Sequence, residues 1–158
     1  MRKPALAALV VLFAACDIPS EAPKKPKMDN ASHPVQKPRD ETRRFPSQDR
    51  IRVEIIDDQI QGKEFLPGGN LAFYERNGKK WRQFLVQADS ATAAALLLND
   101  YRAAMTEPKY LAHMGGYFGK DGNDDVLVLQ KGRWVMGVVG LSEKDADIAA
   151  RGSAAWLD

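Results

Sequence analysis

The sequence predicts an α+β domain, in which an antiparallel sheet built from hairpins carries two helices packed on one face. Three observations predict this fold class. Two pairs of β-rich runs flank Asn77-Gly78 and Lys131-Gly132, which suit tight hairpin turns. An Ala/Leu-rich stretch with helical spacing lies between the hairpins, and a second candidate helix follows Ser142. Hairpins interleaved with helices favour a sheet covered on one side, so residues 51–158 are expected to form this domain.

Three strands are expected in the first half of the domain. Residues 50–61 begin with alternating apolar and charged side chains, the pattern of a half-buried strand. The Pro-Gly-Gly sequence at 67–69 then favours a turn. Residues 70–76 and 79–87 form the first hairpin, because Asn-Gly readily adopts the positive φ that a two-residue turn requires.

The second half is expected to contain both helices and the second hairpin. A helix is predicted over 91–105, capped by Asp89 or Ser90 and ended by Pro108. Its inner face should comprise Leu97, Leu98, Tyr101 and Met105. A glycine-rich run at 115–119 leads to strands over 125–130 and 133–139. After a capping-box-like sequence at Ser142, the inner face of the last helix should comprise Ala146, Ala149, Ser153 and Trp156.

The start of the chain has the pattern of a secretory signal, expected over residues 1–15. Two basic residues precede an apolar run from Ala5 to Ala15, which is too short to span a bilayer, since that needs about 20 residues. The run ends in Phe13-Ala14-Ala15-Cys16, which resembles the lipobox of bacterial lipoproteins, with Phe13 where that family usually has Leu. The resemblance implies cleavage between Ala15 and Cys16 and a lipid on the Cys16 thiol.

Two other interpretations of this start remain open. One is a short buried helix that ends in a buried cysteine, and the other is a plain signal peptide with a coincidental cysteine. The lipoprotein interpretation places the protein in the bacterial cell envelope, bound to a membrane through the lipid, with its domain in the periplasm. Asp17 resembles the residue that retains lipoproteins in the inner membrane of enteric bacteria, but the choice of membrane stays open.

A disordered tether is expected over residues 16–50. Six prolines recur there among many Lys, Arg, Asp and Glu residues, and large apolar side chains are scarce. Such a segment buries too little apolar area to offset its conformational entropy, and its prolines favour extended geometry. The tether is therefore either a spacer that holds the domain away from the membrane or simple filler.

The sequence contains no catalytic constellation, and we expect a protein that is not an enzyme. The one histidine of the domain, His113, has no G-x-S-x-G motif to accompany it, and it alone provides too few ligands for zinc. Residues 121–125 have the D-x-N-x-D spacing that begins a calcium loop, without the Gly and Glu required later in the loop. No cofactor and no metal are therefore expected.

Charge argues against nucleic acid as a partner. The formal net charge is +2, and the positive excess lies before residue 51, while the domain itself is slightly acidic. Four aromatic side chains are instead candidates for a binding surface, with burial in the core as the competing interpretation. They are Tyr117, Phe118, Trp134 and Trp81.

Residues 68–140 show a second resemblance. GGNLAFYERNGKKWRQFLVQADS, the Ala-rich helix after it, GGYFGKDG and VLVLQKGRWVMGVVG are similar to an uncharacterised family of small bacterial envelope proteins. That resemblance implies a strand-rich domain and no particular activity. Two functions therefore remain in view: a non-enzymatic accessory subunit that binds an envelope protein, or a carrier that holds a small ligand or lipid in a cleft between sheet and helices.

Overall fold

One antiparallel sheet of seven strands and two helices make up the fold in the computed structural model, which describes residues 37–157. The strands are β1 (Arg50–Asp58), β2 (Pro67–Arg76), β3 (Lys79–Gln87), β4 (Thr106–Leu111), β5 (Gly116–Asp121), β6 (Asp124–Lys131) and β7 (Trp134–Val139). The helices are α1 (Ala91–Ala104) and α2 (Glu143–Ala154), with short 3-10 turns at Thr42–Arg44 and Ile60–Gly62. The predicted α+β class is confirmed. The predicted signal, Cys16 and the tether up to residue 36 lie outside the described residues.

Two antiparallel meanders lie side by side in the sheet, whose strand order is β1-β2-β3-β7-β6-β5-β4. They meet where β3 pairs with β7, from Arg82 opposite Val139 to Gln87 opposite Trp134. Both predicted hairpins are present, and at the first turn Asn77 and Gly78 have the expected positive φ values of 52° and 76°.

The helices pack on opposite faces of the sheet, which corrects the prediction that they share one face. On β6, Val126 and Val128 contact the core under α1, whereas Leu127 and Leu129 contact the core under α2. All six residues of β7 are buried as well. Because neighbouring side chains of a strand point to opposite faces, two strands that are apolar throughout need cover on both sides.

Strand β4 was not predicted, and it occupies the stretch directly after α1. The helix ends at Ala104, and Pro108, which was expected only to end it, lies inside the edge strand β4. Proline is tolerated at a sheet edge, where its missing N–H removes no ladder hydrogen bond. A register shift between Thr106 and Lys109, together with a φ of 54° at Glu107, makes this edge irregular.

The folded part begins before residue 51, which corrects the expected end of the tether. Phe45 is buried in the core under α2. The Glu41 backbone N–H donates to Asn70 Oδ1 at 3.0 Å, and Asn70 Nδ2 donates to the Arg39 carbonyl at 2.9 Å. Residues 39–50 are therefore held on the sheet in two ways: by the Asn70 amide, which bonds two of their backbone groups, and by the buried ring of Phe45.

Serine side chains cap both helices as predicted. Ser90 Oγ accepts from Ala93 N–H at 3.0 Å, and Ser142 Oγ accepts from Asp145 N–H at 3.4 Å. The expected inner face of α2 is correct for Ala146 and Ser153, which are buried, but not for Trp156, which lies beyond the helix and is exposed. Across residues 37–157, none of the helices combines the length and the apolar character needed to cross a membrane.

Candidate functional site

An open groove lies on the α2 side of the sheet, between α2, the β2–β3 hairpin and the segment that leads into β1. Its volume is about 550 Å³. The residues that line it are Pro46, Gln48, Asp49, Tyr74, Arg76, Asn77, Lys79, Trp81, Gln83, Leu141, Asp145, Ile148, Ala149 and Gly152. Helix α2 packs on β6 and β7, so the neighbouring strands β2 and β3 are left partly uncovered and form the floor.

Two stacked aromatic rings form that floor. Tyr74 and Trp81 are directly opposite each other on β2 and β3, with ring centroids 5.2 Å apart and planes 7° from parallel. The Tyr74 hydroxyl donates to the Pro46 carbonyl at 3.2 Å, and burial raises the pKa of this phenol well above its usual range. Trp81 Nε1 is buried and has no hydrogen-bond partner among the described residues. The two stacked rings therefore give the groove a flat and largely apolar floor.

Paired charges stand at the rim of the groove. Lys79 Nζ donates to Asp145 Oδ2 at 2.8 Å, joining the hairpin to α2, and this bond lowers the pKa of Asp145. On the other side Arg76 Nε donates to Asp49 Oδ2 at 2.7 Å, which joins the hairpin to the segment before β1. Neutralised charges around an apolar floor leave the groove without a strong charge preference.

The helix side of the groove is lined by small residues. Gly152 has nothing within 4 Å of the position that a Cβ would occupy, so the space beside it is open. Deeper in, the Ser153 hydroxyl donates to Gln83 Oε1 at 2.6 Å, and both residues are buried. At the mouth the Ile148 side chain is 60 % exposed, although it is a large aliphatic group. Gly152 and Ala149 create the space, and Ile148 offers apolar contact at its entrance.

His113 contacts a carboxylate but not a nucleophile. Its Nε2 lies 2.7 Å from Asp147 Oδ1 on α2, and Arg151 pairs with the other oxygen of the same carboxylate. The hydrogen bond from His113 is the largest cause of a lowered pKa at Asp147. Within residues 37–157 no hydroxyl is hydrogen-bonded to His113, so this pair links the loop after β4 to α2 and lacks the third group of a triad.

The four aromatic residues predicted as a binding surface do not lie together. Trp81 lies in the groove. Trp134 is on β7, opposite Gln87 at the far end of β3, where it is buried with the Arg44 guanidinium 4.6 Å from its ring centroid. Phe118 packs against the core under α2, and Tyr117 packs against the core under α1. Because Phe118 and Tyr117 are neighbours on β5, they necessarily point to opposite faces.

The aspartates in residues 121–125, where the sequence resembles the start of a calcium loop, each bond a basic side chain. Asp121 accepts from Lys63 Nζ at 2.6 Å and from the Tyr101 hydroxyl at 2.9 Å. Asp124 accepts from Arg82 Nη2 at 2.8 Å, and Asp125 is 2.6 Å from Lys120 Nζ. In the described residues, no cluster of three or more His, Cys, Asp or Glu side chains is arranged to hold a metal ion.

Sequence reasoning missed most of the groove. Its members come from three separated segments of the chain, and only Trp81 was predicted as a binding residue. One signal was available: Ile148 is the single large aliphatic residue of α2, and it falls outside the predicted inner face. An exposed aliphatic residue alone is common, however, and it becomes informative only beside the stacked rings of Tyr74 and Trp81.

Comparison with known proteins supports the fold and does not supply a function. No protein-family model matches the chain, and no curated protein matches its sequence. The chain resembles a solved structure from Thermotoga maritima described as a GTP binding regulator, with a TM-score of 0.53 and 12 % sequence identity. The match covers 71 % of this chain and 80 % of the other. At that identity the likeness shows a shared fold alone.

Proposed function

We propose that this protein is a lipid-anchored accessory protein of the bacterial envelope, whose domain binds a partner protein without catalysing a reaction. The observation that carries the binding role is the groove beside α2, with its apolar floor and its rim of paired charges. An apolar centre surrounded by a polar rim is the usual composition of protein–protein interfaces. The occupant expected is a short segment of another envelope protein that inserts an apolar side chain over Trp81.

The shape of the site favours a protein segment. Small-molecule pockets usually enclose most of their ligand, whereas this groove is open along one side and carries the exposed Ile148 at its mouth. Ile148 and Trp81 would then be the apolar anchors that a partner covers. Lys79 and Asp145 offer hydrogen bonds to a backbone at the rim, because both side chains remain half exposed.

The envelope location is supported by the first part of the sequence. A basic start, an apolar run and a cysteine after small residues have the order of a lipoprotein signal. The proline-rich stretch after Cys16 would then allow the domain to reach a partner some distance from the membrane. We therefore expect labelled palmitate to be incorporated into the wild-type protein and not into Cys16→Ala; equal labelling of the two would contradict the anchor.

Site-specific photocrosslinking tests the binding role. A photoreactive amino acid at Ile148 of the full-length protein, activated in intact cells, is expected to give one defined crosslinked band. Leu96 is the matched control, because it is an aliphatic residue on α1 with 62 % exposure, close to the 60 % of Ile148, on the opposite face of the sheet. The same bands from both positions, or none from Ile148, would contradict a partner at the groove.

Filling the groove gives a second test. Gly152→Leu directs a large side chain into the open space beside the helix, whereas Gly152→Ala adds only a methyl group. The Ile148 crosslink should disappear in Gly152→Leu and persist in Gly152→Ala, with circular dichroism confirming that both variants are folded. A crosslink that survives in folded Gly152→Leu would show that the partner does not enter the groove.

The dimensions of the groove favour one alternative, a carrier for a small ligand or lipid. A volume of about 550 Å³ falls in the range of ligand pockets, which is roughly 300–1,000 Å³. Native mass spectrometry of protein purified from cells distinguishes the two functions. A co-purifying small molecule that is lost in Gly152→Leu would support the carrier and replace the accessory role.

A further inference from the structure

Strand β1 forms an outer edge of the sheet, and within residues 37–157 no strand pairs with its outer side. An edge of this kind exposes a row of backbone N–H and C=O groups that can pair with another strand. Two large aliphatic side chains also stand out on β1. Ile51 is 56 % exposed and Ile55 is 42 % exposed, while Val53 between them is half-buried against the core under α2.

The central sequence of β1 is complementary to itself in charge. Ile51-Arg52-Val53-Glu54-Ile55 has an aliphatic residue at its centre and at each end, and opposite charges at the two positions between. Both charged side chains are accessible, and within one copy Arg52 Nε donates to Glu54 Oε1 at 2.7 Å. When two such strands run antiparallel about this centre, each apolar position meets an apolar position and each charge meets its opposite.

We propose that a second copy of this chain pairs with β1 in antiparallel orientation, on a twofold axis that passes beside Val53. In that register Val53 lies opposite Val53 of the second copy. Ile51 lies opposite Ile55, and Arg52 lies opposite Glu54, each pair occurring twice. The two seven-stranded sheets then form one continuous sheet, and four charges alternate in sign along one face of the junction.

Other registers place like charges opposite each other, place an aliphatic residue opposite a charged one, or fail on side-chain direction. A twofold axis perpendicular to a sheet keeps each face on its own side, so only residues that point to the same face can be opposite each other. An axis beside Arg52 or beside Glu54 would place like charges directly opposite, which destabilises a pair of strands. An axis beside Ile55 would place Val53 opposite Asp57.

The second edge of the sheet explains why the assembly should stop at two copies. Pairing of β1 with the β4 edge of another copy would repeat without end and give a filament. Strand β4 contains Pro108 and the register shift between Thr106 and Lys109, both of which obstruct pairing at an edge. On β1 the comparable shift falls at Ile51, the end residue of the complementary sequence, which has no partner on β2. The proposed ladder is therefore regular over Arg52, Val53 and Glu54 and ends at the two Ile51–Ile55 pairs.

Cysteine crosslinking tests the register. Two Val53→Cys residues on the axis would have Cα atoms about 4.5–5.5 Å apart, within the range of a disulfide. Ile51→Cys is the matched control, because it is on the same strand and more exposed, but the Cα atoms of its two copies would be about 14 Å apart. Mild oxidation of the full-length protein should give at least about tenfold more disulfide-linked dimer from Val53→Cys than from Ile51→Cys.

The cysteine experiment includes a control for the natural thiol. Cys16 is the only cysteine of the chain, so each variant is also prepared with Cys16→Ala. The double variant with Ile51→Cys and Ile55→Cys should regain the dimer, because those two positions are opposite each other. Equal dimer from Val53→Cys and Ile51→Cys in the Cys16→Ala background would overturn the proposed pairing.

Charge exchange tests the same junction without a new thiol. Arg52→Glu alone and Glu54→Arg alone should each lose the dimer in analytical ultracentrifugation, since like charges then lie opposite. Mixed one to one, the two variants should form a heterodimer in which every pair has opposite charges. If the single variants failed to dimerise because of a local structural defect, mixing them would not restore the dimer. A dimeric wild type together with no dimer in the mixture would therefore overturn the proposed register.

Discussion

Gly137 and Phe84 are expected to depend on each other for stability. They lie opposite each other on β7 and β3, and the Phe84 ring covers the Gly137 Cα. A Cβ at residue 137 would overlap Cε1 and Cζ of that ring and would lie 3.0 Å from Cδ1. The ring has little freedom to move, because Phe84 is fully buried and stacks on Tyr101 with centroids 5.6 Å apart.

The expected magnitude is set by this geometry. Inserting a methyl group into a closely packed core costs about 1–3 kcal/mol. Because the new Cβ would overlap two atoms of a buried ring, we expect Gly137→Ala to cost about 2–3 kcal/mol. Phe84→Ala should cost about 3–5 kcal/mol, because it removes a buried ring and leaves a cavity. In the double variant the methyl group enters that cavity, so adding Gly137→Ala to Phe84→Ala should change stability by less than about 0.5 kcal/mol.

Urea denaturation monitored by tryptophan fluorescence measures the four free energies of unfolding in this cycle. Wild type, both single variants and the double variant are compared at one pH, with the slope m checked for constancy. A coupling of about 2 kcal/mol between the two positions is expected. If Gly137→Ala destabilised the wild type and the Phe84→Ala variant equally, the ring would not be the atom group that excludes a side chain at 137.

Three further predictions concern buried or charge-linked residues. Phe45→Ala should lower the free energy of unfolding by about 3 kcal/mol, measured by urea, and a loss below about 0.5 kcal/mol would exclude residues 39–50 from the cooperative fold. Because His113 lowers the pKa of Asp147, that carboxylate stabilises the protein above about pH 4 and loses this effect as the pH falls further. Asp147→Asn should therefore make the free energy of unfolding depend less on pH below about pH 4. An unchanged dependence would contradict a stabilising interaction between His113 and Asp147. Burial and the Asp121 charge raise the pKa of Tyr101, so stability should fall above about pH 10 and fall less steeply in Tyr101→Phe, as measured by thermal unfolding across that range.

The parts of the fold that depend on local chemistry were predictable from the sequence. Asn77-Gly78 specifies its turn by the positive φ that both residues adopt, and Ser90 specifies the start of α1 by a hydrogen bond three residues away. The inner face of α1 is predictable from helical spacing and includes the buried Leu98 and Tyr101. In each case the residues that decide the structure are within a few positions of one another.

The placement of the helices depends on distant residues, and the local patterns did not decide it. The uninterrupted apolar run in β6 and β7 was the available signal, because a strand that lacks alternation is buried on both faces. Strand β4 gave almost no signal, since only Leu111 is buried and Pro108 resembles a helix stop. Phe45 was assigned to the tether because it stands alone among polar residues, and its burial depends on strands that come later in the chain.

The groove forms because different parts of the chain cover the two halves of the sheet. Helices α1 and α2 cover β6 and β7 on opposite faces, so on the α2 side the β1–β3 half is covered by residues 39–49. That segment contacts the chain just after α2, where Arg44 Nη1 donates to the Trp156 carbonyl at 2.6 Å, and the groove lies between Pro46 and Ala149. Its outer wall is therefore the piece of chain that joins the domain to the predicted tether. A partner bound there would contact both the sheet and this connection, so binding and the proposed link to the membrane would involve the same short segment.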